Sequence, residues 1–138
     1  MIYTAAFKAL GYTLDAPRKD WSARKDDGIC VTLWQDRIVM ADGKLHFDTR
    51  QDAPIEEWGD MHGNTLRKGH LAHALEKHDG YVDAIIVTGD SDSRSVKDAD
   101  PWIAGRRRNM VWKITHLDGE SGHFRVETEK APAPKVAA

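Results

Sequence analysis

The chain has 138 residues, of which 41% are hydrophobic and 30% charged, and its formal net charge is −2. That length suits one domain with one core. A charge so near zero excludes any global pull toward nucleic acid or membrane, so either interaction would have to rest on a local patch. One cysteine, Cys30, rules out an intrachain disulfide, and its apolar surroundings predict a buried, inert thiol. No apolar run reaches the ~18 residues of a membrane span, and the first residues lack the charged-then-apolar pattern of a secretory signal. The expectation is a soluble, cytoplasmic protein of a reducing compartment, with no cofactor and no membrane partner.

Met1 to Gly11 carries Ile2, Ala5, Ala6, Ala9 and Leu10 at helical spacing, with Thr4 as a start signal and Gly11 as a left-handed stop. Pro17 keeps the following connector out of a helix. Strands near 20–24 and 29–35 flank the turn sequence Lys25-Asp26-Asp27-Gly28 and predict a hairpin. Ile38 to Asp48 continues as a meander turned at Asp42-Gly43, and Thr49 to Asp60 reads as a polar loop with a helical turn near Ile55–Trp58. A helix starts near Asn64 or Thr65, with Leu66, Leu71, Ala74, Leu75 and His78 along one side, and ends at Asp79-Gly80. The strand Val82–Thr88 follows at once. It contains Ala84-Ile85-Ile86-Val87, the most hydrophobic run in the chain, and belongs at the centre of a sheet. Gly89 to Pro101 shows no apolar periodicity and reads as a loop. Met110–Leu117 and His123–Glu129 form a last hairpin around Asp118–Gly122.

About six short strands and two or three helices add up to an α+β fold, built on a small mixed, closed or nearly closed, barrel-like sheet. A doubly wound parallel fold needs more alternating helices than these. Residues 1–129 are expected to form a single domain. The Ala/Pro/Lys-rich 130–138 reads as a disordered tail.

The order of elements resembles that of the PUA-like superfamily of small β-barrels, which includes the ASCH, EVE and YTH domains. The residues carrying the resemblance are Trp21-Ser22-Ala23, Leu33-Trp34-Gln35-Asp36, Gly63-Asn64 with Arg67 and His70-Leu71, Arg94-Ser95-Val96-Lys97, and Trp112-Lys113-Ile114-Thr115 through Phe124. Some of this phrasing also looks like a PUA-like module found near HNH endonucleases and in phage genomes. The tryptophan-rich opening of an EVE domain and the full aromatic cage of a YTH domain are absent. The resemblance implies a domain that binds DNA or RNA, in several relatives through a modified base held in a pocket.

The residues themselves offer one basic and aromatic constellation. Arg67, Arg94, Lys97 and the tract Arg106-Arg107-Arg108 supply cations for phosphates, while Trp21, Trp58 and Trp102 border loops where a base can stack. Trp34 and Trp112 lie within strands and read as core. Ser22, Asp36 and Asn64 are candidate readers of a base edge. Asp90, Asp92, Asp98 and Asp100 surround Arg94 and Lys97 and work against phosphate there. His70 and His73, three apart on a helix that His62 precedes, could face one metal, but with His78 they do not form one tight ligand face at ~100° per residue, and no zinc motif occurs. The Asp90–Ser95 loop lacks EF-hand spacing, and no serine sits in a nucleophile elbow. The leading expectation is therefore a nucleic-acid reader that needs no covalent chemistry. A protein-directed phage or mobile-element inhibitor and a metal-dependent hydrolase or nuclease are the competing classes.

Overall fold

The computed structural model describes residues 1–132. Three α-helices, α1 (Tyr3–Ala9), α2 (Ile55–Trp58) and α3 (His62–Lys77), accompany eight strands. The strands are β1 (Ser22–Lys25), β2 (Gly28–Trp34), β3 (Val39–Ala41), β4 (Lys44–Asp48), β5 (Tyr81–Asp90), β6 (Ser95–Pro101), β7 (Met110–Leu117) and β8 (Phe124–Lys130). The fold is α+β and its sheet is mixed, in the order β1-β2-β5-β7-β8-β4-β3, with β6 also on β5. The sheet does not close: β1 and β3 remain at its two ends.

β5 organises this sheet. One edge pairs in parallel with β2, from Cys30↔Asp83 to Trp34↔Val87. Its other edge is divided, with Tyr81 and Val82 opposite β7 and Ile85 to Asp90 opposite β6. A strand with neighbours on both edges and burial on both faces has to be apolar along its length, and Val82 and Ala84–Val87 are all buried. β2 is buried at all seven positions for the same reason.

Several boundaries differ from the sequence-based expectation. Gly89–Pro101 is not a loop. β5 runs on to Asp90, turns, and returns as β6 across a bulge at Thr88/Gly89. Gly89 has φ +143°, and a side chain there would collide with the Ser95 carbonyl, so only glycine fits the bulge. α3 begins at His62, which leaves Asn64 and Thr65 inside its first turn rather than capping it. Its buried face is Gly63, Asn64, Arg67, Leu71 and Ala74, while Leu75 is exposed. Thr4 likewise lies within α1, which is preceded by Ile2. Lys130 closes β8, and Ala131 donates its amide to Asn109. The remainder of the 130–138 tail, residues 133–138, lies outside the described residues.

Candidate functional site

The C-terminal ends of β2 and β5, the one parallel pair among the described strands, open onto a pocket of about 290 Å³. This is where parallel strands place ligands in other α/β arrangements. Thr32 and Trp34 of β2 and Val87 of β5 form its back. Tyr3 of α1, Trp21 just before β1, and Arg67 of α3 form its sides, and Arg94 and Val96 come from the β5–β6 hairpin. Pro17 and Arg18 stand exposed at the rim.

Two guanidinium groups define the chemistry. Arg67 is only 4% exposed. Its Cζ lies 4.9 Å from the Trp21 ring centre, 5.6 Å from Trp58 and 4.7 Å from Phe124. Arg94 stacks on the same two indoles, at 4.6 Å from Trp21 and 5.7 Å from Trp58. Its Nη2 also meets Asp52 Oδ2 at 3.4 Å. Among the described residues no carboxylate lies within ion-pair distance of Arg67, and its Nε is buried with no hydrogen-bond partner. Burial pulls the Arg67 pKa down to about 9, and the neighbouring Arg94 charge adds to the shift while Asp52 opposes it. Arg67 is therefore still a cation at neutral pH. Removing such a charge from water costs several kcal/mol. Stacking on aromatic faces returns about 0.5–2 kcal/mol per contact, so the three rings around Arg67 offset a large part of that cost.

Local structure explains why these groups meet. Gly63, one turn before Arg67, has the Trp21 indole directly over its Cα, and any Cβ there would collide with the ring. Asp90 accepts the amides of Asp92 and Ser93, which shapes the hairpin turn, and Arg94 leaves that turn with φ +58°. Thr49 bonds both backbone groups of Phe124, pinning the start of the 49–58 segment to β8. From there Asp52 reaches Arg94, and Trp58 donates its indole N–H to the Ala53 carbonyl at 2.7 Å.

The polar groups of Tyr3, Thr32 and Asp20 on the lining have internal partners. Tyr3 donates its hydroxyl to the Asp20 carbonyl at 2.7 Å, and burial pushes its pKa well up. Thr32 Oγ1 donates to the Trp21 carbonyl. The buried Asp20 carboxylate takes the Ala16 amide on one oxygen and lies 3.0 Å from His62 Nε2 on the other.

Of the residues singled out in the sequence, Trp21, Arg67 and Arg94 thus converge, with Trp58 behind them. Trp58 is fully buried and presents no free stacking face. Ser22 is buried, with its Oγ 2.7 Å from His70 Nδ1, and faces a neighbouring cleft rather than this pocket. Asn64 is buried and structural: its Nδ2 donates to the carbonyls of Gly59 and Ser121, both at 2.9 Å. Asp36 accepts from Ser91 Oγ, and Lys97 is exposed on β6; neither lines the pocket. Trp102 is buried against Trp112 and donates to the Met110 carbonyl. Arg106, Arg107 and Arg108 follow the far end of β6, roughly 20 Å of strand from Arg94. They do not join the groove expected for them. Arg107 lies over Trp102 at 4.6 Å and beside Asp100 at 3.8 Å.

Sequence reasoning did not single out Tyr3, Arg18, Asp20, Thr32, Trp34, Asp52, Val87 or Val96 as site residues. The available signal was Thr32 and Trp34 alternating on one face at the end of a strand. Among the histidines, His73 and His78 meet edge to face at 5.4 Å, while His62 and His70 bind Asp20 and Ser22. No group of three metal-ligating side chains converges among the described residues. No known protein family, curated protein or solved structure matches the chain.

Proposed function

We propose that this protein is a nucleic-acid-binding domain of PUA-like type that holds an extruded base or nucleotide in the Trp21–Arg67–Arg94 pocket. The carrying observation is the pair of guanidiniums stacked on the partly exposed Trp21 in the wall of an open pocket. A volume of about 290 Å³ is at the small end of ligand pockets and suits a single base rather than a larger organic ligand. Aromatic walls accept the π-face of any base, and the arginine forks meet its acceptor atoms or its phosphate. Arg18 at the rim is placed for a flanking phosphate. No bond is made or broken in this reading.

The test is fluorescence anisotropy with labelled single- and double-stranded DNA and RNA, plain and base-modified, at low and raised salt. Binding should weaken with salt. Trp21→Ala should cost about 1–3 kcal/mol, the worth of one base–aromatic stack. Absence of binding to every oligonucleotide at low salt would overturn the proposal.

A further inference from the structure

The hydrogen-bond inventory of the pocket is lopsided. Guanidinium groups only donate. Asp52 is occupied by Arg94 and the Ala53 amide, Asp20 by Ala16 and His62, and the Tyr3 and Thr32 hydroxyl protons by backbone carbonyls. What is left on the lining is a surplus of charged donors on Arg67 and Arg94, and Arg67 also has a buried Nε with no partner. Charge gives the same answer: Arg18, Arg67 and Arg94 stand against Asp20, which is taken up by the Ala16 amide and His62, and Asp52, which pairs with Arg94. A neutral amino group entering this space would find as acceptors only the Tyr3 and Thr32 oxygens and the spare lone pairs of two carboxylates that already have partners, and it would sit beside the guanidiniums. An oxyanion would supply both the missing acceptors and the missing negative charge.

We infer that the group bound on Arg67 and Arg94 is an oxyanion, a phosphate or a carboxylate, carried by a flat ring that stacks on Trp21. This rests on the same pocket as the reader proposal and names the ligand chemistry. Three sources carry that chemistry: the phosphate of an extruded nucleotide, a carboxyl substituent on a base, and a free nucleoside monophosphate. Arginine suits the role because its planar fork stacks on indole while offering paired N–H groups to oxyanions.

Isothermal titration calorimetry tests it on the full chain with a nucleoside 5′-monophosphate, the parent nucleoside, orthophosphate and benzoate. The monophosphate should bind about tenfold or more tighter than its nucleoside, as expected for charge-assisted hydrogen bonds. Arg67→Met and Arg94→Gln should each abolish that difference. Arg67→Met should melt at or above the wild-type temperature, because it removes a buried charge that lacks a carboxylate; Arg94→Gln, in an accessible hairpin, is the second variant should the first misfold. Benzoate binding with no phosphate preference points to a carboxylated ring, and orthophosphate competing with the monophosphate points to a phosphate; both support an oxyanion site. Equal affinity for nucleoside and monophosphate without benzoate binding, or a preference that survives both substitutions, overturns the inference. If oligonucleotides bind but the phosphate of the monomer has no effect and benzoate does not bind, this inference falls while the reader proposal stands. If the monophosphate binds and no oligonucleotide does, the reader proposal falls while the oxyanion site stands.

Discussion

Two arginine-bearing regions of this molecule look alike in charge and differ in physics. Arg106, Arg107 and Arg108 are consecutive, exposed and solvated, and Arg107 already has Asp100 and Trp102. Arg67 and Arg94 are 27 positions apart in sequence yet share the Trp21 and Trp58 rings, and Arg67 is almost wholly enclosed. An exposed arginine is content in water, and its ion pairs are worth little. A buried arginine without its own carboxylate is a standing cost that a ligand can relieve. Density of charge along the chain is therefore a poor guide to the site here, and enclosure of charge is the better one.

The largest effect on the enclosed region should come from the carboxylate paired with Arg94. Asp52→Ala leaves Arg67 and Arg94 facing each other without that counter-charge, and thermal unfolding should show a loss of about 3 kcal/mol. A loss below 1 kcal/mol would mean that solvent already screens the pair and that enclosure has been overstated. Next in size is Gly63→Ala. Inside a helix that change ordinarily gains about 1 kcal/mol, but here the new methyl collides with the Trp21 indole. The prediction is a net loss of about 1–3 kcal/mol, as for an overpacked core, together with weakened ligand binding as Trp21 moves. A stabilised Gly63→Ala protein would show that Trp21 is free to shift and is no fixed wall. The smallest effect should come from Lys97→Ala, a change of under about 0.5 kcal/mol in both stability and binding, because Lys97 is exposed and outside the lining. A larger drop in binding would extend the ligand path along β6.

The difference between the two regions also shows what could be read from the residues. β5 was legible because a two-edged, two-faced strand must be a continuous apolar run. The β1–β2 and β7–β8 hairpins were legible from alternation and turn residues. β6 was hidden: Ser-Val-Lys-Asp-Ala-Asp-Pro has little strand propensity, and most of it is exposed. It forms because the upper half of β5 has an unpaired edge to satisfy. α3 was found, but its buried face was sought among the leucines. Tertiary packing instead turned Asn64 and Arg67 inward and left Leu75 outside; of the two inward polar residues, Arg67 lines the site and Asn64 ties neighbouring loops together. Trp21, Arg67 and Arg94 were recognisable as candidates by residue type. Asp52 was not, because an aspartate in a polar loop gives no local sign that a guanidinium 42 positions away will reach it. The tryptophans at loop borders divided for a related reason: only Trp21 stayed partly exposed, while Trp58 and Trp102 folded inward and satisfied their indole N–H groups on carbonyls.

The central claim is that placement, not count, of arginine makes the site, and a charge-matched pair of substitutions tests it most directly. Arg67→Met and Arg107→Met each remove one positive charge and retain a long apolar side chain. Their affinities for one labelled oligonucleotide and one nucleoside 5′-monophosphate should be measured beside the wild type at the same salt. The prediction is a loss of about tenfold or more for Arg67→Met, and a change within about threefold for Arg107→Met, as for an exposed charge. Equal losses in the two variants, or a greater loss at Arg107, would contradict the account.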